Sequence, residues 1–381
     1  MGPLSGIRVV EIAGIGPAPM CTMLLADLGA SVLRIERDGS PDLVDDLPRG
    51  CNIMLRGRPS LQLDLKSSDA RDFVLSLVSK ADVLIEGFRP GVAERLGIGP
   101  EPAMAVNPKL VYGRMTGWGQ DGPLAMRAGH DITYLALSGA LNAIGRKGQP
   151  PTVPLNLVSD FAGGALYLAL GILSALVERQ HSGLGQVIDA AMIDGTASLM
   201  AAIYGMAAAG TLTPERGTNL LDSGAYFYDV YECADGKWLA IGALEQRFHD
   251  ELLRQIGIDP ASAGSRANRE NWPRMRDLLK ERFRTRTRDE WQAQLEPLDV
   301  CAAPVLSMSE ASTHPHLCHR RTFVDVEGVV QPAAAPRFSR TPANDPRPVP
   351  EPGVGVDDLL REWQIDPERL PRQRAVPSQA H

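Results

Sequence analysis

Two side chains in the middle of the chain, His130 and Asp160, have types and surroundings suited to moving a proton. Gly129-His130-Asp131 opens a segment with helical spacing that follows a strand-like run. Asp160 stands in Ser159-Asp160-Phe161-Ala162-Gly163-Gly164, within an otherwise apolar stretch. An aspartate so placed is either paired or holds its proton to higher pH, and both conditions are common at functional sites. Histidine ionises near neutral pH, which suits acid–base work. The plainer alternatives are a helix-capping or core histidine, and an aspartate buried to accept from a backbone amide. Spacing alone leaves both open.

A second set of residues is cationic. Arg37 sits just past the second strand-like segment, Lys66 just past the third, and Arg89 and Arg95 beyond the fourth, in and after Glu86-Gly87-Phe88-Arg89-Pro90-Gly91. An open parallel sheet binds ligands outside the carboxyl ends of its strands. Four cations there suit a phosphate-rich molecule, with arginine forks making bidentate contacts. Taken one at a time, each is equally an ordinary solvated loop charge.

The elements that must hold these residues alternate in type. Arg8–Ala13, Ser31–Ile35, Leu61–Leu65, Asp82–Ile85 and Leu110–Met115 read as strands, and Pro19–Gly29 and Asp69–Ala81 as helices between them. That alternation indicates βαβ units and a parallel, Rossmann-like sheet over residues 1 to about 115. Asp131–Ile144 and Leu157–Arg179 read as helices, Gly185–Ala191 as a strand, and Gly195–Ala209 as a long apolar helix. The apolar stretches 161–176 and 196–210 are expected to be buried helices, too short and too interrupted by glycine for membrane spans. Thr211–Ser223 is polar and turn-rich, a linker; two alternating runs around Ala234-Asp235-Gly236 then predict a hairpin that opens a smaller α+β lobe. Residues 342–352 are proline-rich, and the last ten are expected to be disordered.

Gly14-Ile15-Gly16 invites comparison with a dinucleotide site, because it follows a strand, opens a helix, and has Glu36 about 20 residues on. The third glycine is missing, however. Pro17 and Pro19 also remove two N–H donors where a pyrophosphate would need them. A tight strand-to-helix turn accounts for the segment without a nucleotide.

The bulk properties narrow the class. With 39 Lys and Arg against 46 Asp and Glu the chain carries a formal charge of -7 and no basic block, which argues against nucleic-acid binding. Its 381 residues exceed a single core, so two lobes are expected. Cys21, Cys51, Cys233, Cys301 and Cys318 form no CxxC pair; reduced thiols in a cytoplasmic protein fit them better than disulfides or a zinc site. The amino terminus has no charged segment followed by an apolar run, so no signal peptide is expected. His314, His316 and His319 crowd together, but prolines and arginines surround them, and a solvated return segment is expected rather than a metal site.

Several of these segments resemble the family III CoA-transferase superfamily: the start PLSGIRVVEIAGIGPAP, IEGFRPGVAERLG (85–97), MTGWGQDGP (115–123), AGHDITY (128–134), LNLVSDFAGG (155–164), GQVIDAAMIDG (185–195) and APRFSRTP (335–342). The resemblance covers nearly the whole chain. It implies an α/β fold in which residues 1–210 with 320–381 form a large CoA-binding domain, 211–224 a linker and 225–319 a small α+β domain. It further implies a homodimer of interlocked chains. Members that transfer CoA do so through an aspartate that forms anhydride intermediates, and Asp160 matches it. The branch that racemises 2-methylacyl-CoA thioesters carries a histidine in Gly-His-Asp, as here in Gly129-His130-Asp131. Glu245, in Ile241-Gly242-Ala243-Leu244-Glu245, matches a glutamate which that branch sets beside the histidine; the glycine run of some transferases is missing here. Gly87, Gly129 and Tyr134 join Arg37, Lys66, Arg89 and Arg95 as expected CoA contacts.

The expected chemistry is a 1,1-proton transfer through an enolate. His130 and Asp160 act on opposite faces of the α-carbon, Glu245 orients the imidazole, and the Asp131 N–H at a helix start donates to the enolate oxygen. No metal, flavin or nicotinamide is expected, coenzyme A being part of the substrate. The alternative is transfer of CoA between carboxylic acids through Asp160. The acyl chain, whether fatty, sterol-derived or aryl, is not legible in the sequence.

Overall fold

Along the first strands successive side chains point to opposite faces, and both sets are mostly apolar. In the computed structural model, which describes residues 2–37 and 47–371, these runs form β1 (Arg8–Ile12), β2 (Ser31–Glu36), β3 (Ser60–Gln62), β4 (Val83–Glu86), β5 (Val111–Thr116) and β6 (Val187–Ala191). They make one six-stranded sheet in the order β3-β2-β1-β4-β5-β6. Every pair is parallel, with Val10 opposite Leu33 and Leu84, and Leu84 opposite Tyr112. One face buries Val10, Leu33, Leu84 and Tyr112 under the helix Ser68–Val78 and the helix Val356–Glu362. The other buries Val9, Val32, Val83 and Val111 under the helix Pro17–Asp27 and the middle of Leu157–Ser182. Cover on both faces is what makes parallel strands read as unbroken apolar runs. The expected disorder of the last ten residues lies outside the described residues.

Near the end of the described chain, Trp363 is fully buried in this core, and its indole N–H donates to Ser31 Oγ at 2.9 Å. Truncating a buried tryptophan costs about 3–5 kcal/mol, so the return segment is part of the sheet's core.

The residues divide into two compact units. The first comprises 2–138, 155–199 and 316–371; the second comprises 139–154 and 200–315. In the second, β7 (Tyr228–Glu232), β8 (Trp238–Gly242) and β9 (Ala302–Pro304) form an antiparallel sheet in that order. The turn between β7 and β8 needs Gly236 at φ +72°. Helices at Gln246–Gln255, Trp272–Phe283 and Arg288–Leu295 bury Leu253, Met275, Phe283 and Trp291 against it. The polar segment 211–223 belongs to this unit and is tied by Asn219, whose amide oxygen accepts from the Thr213 N–H at 2.7 Å.

Three sequence expectations need correction. The helix expected over Asp131–Ile144 breaks at Ser138-Gly139, where Gly139 takes φ +83°. The helix expected over Gly195–Ala209 breaks at Met200, between Met192–Leu199 and Ala201–Ala208. Nor are the two apolar stretches buried helices. Leu157–Ser182 is continuous for 26 residues, long and apolar enough by composition to cross a membrane, yet only one side of it meets the sheet. Leu166, Leu170 and Val177 are exposed on the other, and Ala201–Ala208 contains no buried residue. The apolar residues run round more of these helices than any neighbour in the same unit covers.

Candidate active site

The strand order reverses between β1 and β4, so the turns that follow them part and leave a crevice at the carboxyl edge of the sheet. Two cavities occupy it, of about 270 and 440 Å³. Ile15 from the turn after β1, and Gly87 and Phe88 from the turn after β4, line both. The cavities are therefore neighbours across one wall.

The turn after β4 is held by a buried ion pair. Arg114 Nε on β5 donates to Glu86 Oε1 at 2.9 Å, and Glu86 Oε2 accepts from the Phe88 N–H at 2.7 Å. Arg114 Nη1 also meets Glu94 at 2.9 Å. Burial pushes the Glu86 carboxyl up, against the pull of the Phe88 amide and Arg114.

In the smaller cavity lie Gly87, Arg89, Gly129, His130, Tyr134 and Asp160. His130 is the N-cap of the helix Asp131–Leu137, in extended conformation, and its N–H donates to Thr133 Oγ1 at 3.0 Å. Its imidazole thus stands at a helix entrance rather than in the core. The Asp131 N–H is the first of that helix, where N–H groups lack intrahelical acceptors. Tyr134 is buried, edge-on to Trp118 with ring centroids 4.7 Å apart. Burial pushes its phenol up to about 12, helped by the charge of Asp160 and opposed by Arg89. Gly117 and Gly129 exist to admit this ring, since a Cβ on either would lie 2.1 and 2.6 Å from it.

Asp160 enters from the first turns of the helix Leu157–Leu166, which has the wider i→i+5 hydrogen bonding of a π-helix. Burial raises its carboxyl above the ordinary aspartate range; the amide of Asn156, which donates to Asp160 Oδ2 at 3.2 Å, opposes this, Asp131 adds to it, and the charge of His130 opposes it. A Cβ on Gly16 would lie 3.4 Å from Asp160 Oδ2, so the carboxylate reaches over the turn that follows β1. The helix is seated by its glycines. A Cβ on Gly163 would fall 2.8 Å from the Thr196 nitrogen, and one on Gly195 would overlap the Gly163 carbonyl oxygen at 1.9 Å. The small residues of SDFAGG and MIDG thus let two helices cross backbone to backbone.

Among the cations, Arg37 and Lys66 line the larger cavity, whose walls also include Leu63, Leu65 and Leu96. Arg89 lines the smaller one. Arg95 lines neither and is exposed, its guanidinium 3.3 Å from where a Gly91 Cβ would lie. Glu245 belongs to the second unit, where it is the exposed N-cap of the helix Gln246–Gln255. Glu36, the carboxylate that suggested a ribose, is buried and already engaged: Arg34 and Arg49 each lie 3.3 Å from it and the Ser60 hydroxyl donates to it at 3.0 Å. The same buried cluster pairs Glu11 with both Arg34 and Arg58. Of the histidine cluster, His314 falls in the second unit and His316 and His319 in the first.

Sequence reasoning passed over Asn156, Gly117 and Trp118. Asn156 is the N-cap of the helix Leu157–Leu166, four residues before Asp160, and the expected helix, which also began at Leu157, left it outside. For Gly117 no local signal existed, because its neighbour Tyr134 is distant in the chain.

Residues 4–357 match the family described as CoA-transferase family III. The chain is 44% identical over 370 residues to the alpha-methylacyl-CoA racemase of Mus musculus, covering 96% of this chain and 95% of that protein. It is 41% identical to the protein of the same name from Homo sapiens, with the same coverage. The acetyl-CoA:oxalate CoA-transferase of Acetobacter aceti is 32% identical, over 89% of this chain and 90% of that protein. Among solved structures, a CAIB/BAIF family protein from Brucella suis superposes with a TM-score of 0.82 at 28% identity, covering 95% of this chain and 99% of that one.

Proposed function

The chain belongs to CoA-transferase family III, and on that premise we propose that it is an α-methylacyl-CoA racemase, interconverting the two epimers of 2-methylacyl-CoA thioesters by 1,1-proton transfer. The observation that carries the proposal is the meeting of His130 and Asp160 on one cavity, next to a second cavity that presents Arg37 and Lys66. The CoA nucleotide lies toward those two cations, its pantetheine passes Ile15, Gly87 and Phe88, and the thioester reaches the smaller cavity. There one of His130 and Asp160 removes the α-proton while the other delivers a proton to the opposite face. An aspartate whose proton is held up by burial can alternate between acid and base closer to neutral pH than an exposed one. The Asp131 N–H, at the positive end of its helix, donates to the enolate oxygen that forms between the two transfers.

In this reading the protein works as an interlocked homodimer, in which the imidazole is oriented by the partner subunit's Glu245. The exposed Leu166, Leu170 and Val177 support an apolar surface that a second copy covers. Nothing in the reaction calls for a metal, flavin or nicotinamide, and activity is expected to survive exhaustive chelation. The test uses one pure epimer of a 2-methylacyl-CoA in deuterated water. Deuterium at the α-carbon together with the opposite configuration is the expected result. Turnover that requires a free carboxylic acid acceptor, with no α-deuterium, would instead make Asp160 the nucleophile of a CoA-transferase.

A further inference from the structure

The side chain of Asp131 has a place that the sequence does not announce. It is 5% exposed, and its Oδ2 accepts the N–H groups of both Ser159 and Asp160, each at 2.8 Å. These amides lie in the first turn of the helix Leu157–Leu166, where backbone donors have no partner of their own. Asp131 is itself the first residue of the helix headed by His130. One carboxylate oxygen therefore ties together two helix starts, one presenting His130 and the other Asp160.

From this geometry we infer that the Asp131 side chain is a positioning residue that fixes the separation of His130 and Asp160 across the substrate's α-carbon. The inference rests on the racemase reading above and is separate from the backbone role given to the Asp131 N–H. Transfer through one carbon needs both groups near van der Waals contact with it, from opposite sides, at the same time. Misplacing a reacting group by about 1 Å costs on the order of 10²-fold in rate. Each group alone can still take a proton from its own face and return one to it, because that exchange involves a single group. Loss of the tether therefore affects inversion and exchange with retention unequally.

Two variants read this out. In Asp131→Ala the tether is gone and the backbone N–H remains. In Asp131→Asn the amide oxygen can accept both N–H groups, and the amide nitrogen takes the place of Oδ1, which has no partner among the described residues. With each pure epimer in deuterated water, Asp131→Ala is expected to lose inversion about 10²-fold at nearly unchanged KM while deuterium uptake with retention falls far less. Asp131→Asn restores the ratio of inversion to retention toward that of the parent protein. A fall of inversion and retention in equal proportion in Asp131→Ala, or no recovery in Asp131→Asn, overturns the inference. Hydrogen–deuterium exchange of the peptide holding Ser159 and Asp160 reads the tether itself, without substrate. Protection there should drop in Asp131→Ala and return in Asp131→Asn; unchanged protection in Asp131→Ala also overturns the inference. A parent protein that never inverts its substrate would refute the racemase reading instead, which the exchange of that peptide does not touch.

Discussion

Replacing His130 by alanine asks whether a second group can do its work. The smaller cavity offers few substitutes: besides His130 and Asp160 its ionisable walls include Tyr134, held at about 12, and Arg89 and Arg127. A phenol held there does not give up and regain a proton readily near neutral pH. Removing a positioned acid–base group costs about 10²–10⁴ in rate, or roughly 2.7–5.4 kcal/mol of barrier. With no replacement at hand, His130→Ala is expected toward the upper end of that range for net racemisation, from either epimer. Asp160 keeps its seat, held by Asn156 and by the helix amides that Asp131 accepts. It should still wash deuterium into the one epimer whose α-proton faces it, with retention and within about tenfold of the parent rate. Asp160→Ala should give the mirror result with the other epimer. The assay is proton NMR of each pure epimer in deuterated water, with chiral chromatography of the hydrolysed acid. If both variants label the same epimer, the two groups do not stand on opposite faces. If His130→Ala racemises at the parent rate, the histidine is structural and the aspartate works without it.

Three further outcomes follow from the geometry. Arg37→Ala and Lys66→Ala should raise KM for the thioester by roughly 10- to 100-fold, the worth of a charge-assisted hydrogen bond, with kcat within about twofold, whereas Arg95→Ala should do little; a kcat loss at constant KM would move these cations into the chemistry. The raised Asp160 carboxyl places the acid limb of kcat/KM above the ordinary aspartate value of 3.8, with activity falling as pH drops through it. Its folded value exceeds its unfolded one, so this group favours the folded state at low pH and ceases to do so as pH rises through the folded value. Asp160→Asn should therefore melt higher than the parent at pH 8, and a lower Tm there would contradict the burial argument. Finally, Glu11→Ala should destabilise more than Arg58→Ala. Glu11 is the buried partner of both Arg34 and Arg58, so its loss leaves Arg58 without a carboxylate and Arg34 with Glu36 alone, while loss of Arg58 leaves Glu11 paired with Arg34. Breaking such a pair costs about 3–5 kcal/mol, and equal melting points would refute the ordering.

What could be read from the sequence was what repeats with a short period. The parallel sheet announced itself because strands covered on both faces are mostly apolar, and the hairpin around Ala234-Asp235-Gly236 because a turn and its flanking alternation are local. The grouping of residues 139–154 with the second unit depends on contacts with distant segments, and no local pattern encodes it, whereas the helix break had a local signal in Gly139, a residue type that commonly ends helices. Of the site, His130 and Asp160 stood out through residue type and apolar surroundings. Gly117 and the Asp131 side chain did not, since each acts by touching a segment distant in the chain, and Asn156 did not because its amide stands just outside the helix that carries Asp160. Glu36 sits where a βαβ unit can hold a ribose, a reading the missing third glycine already disfavoured, and its buried arginine neighbours come from β2 and from the loop before β3.

The burial of Trp363 bears on how the molecule comes into being. Its indole reaches Ser31 across 332 residues of sequence, and the whole second unit, 139–154 with 200–315, is encoded in between. As the chain emerges from the ribosome, the strands of the large sheet are made first, yet one of their faces lacks the helix Val356–Glu362 until after the second unit has been made. The second unit, complete by residue 315, can collapse while that face still waits. Val10, Leu33, Leu77 and Leu84 therefore spend most of synthesis without their final cover. A nascent chain stalled before residue 356 would lack the part of that cover given by the helix Val356–Glu362 and Trp363, leaving apolar surface on which chaperones act and from which aggregation starts.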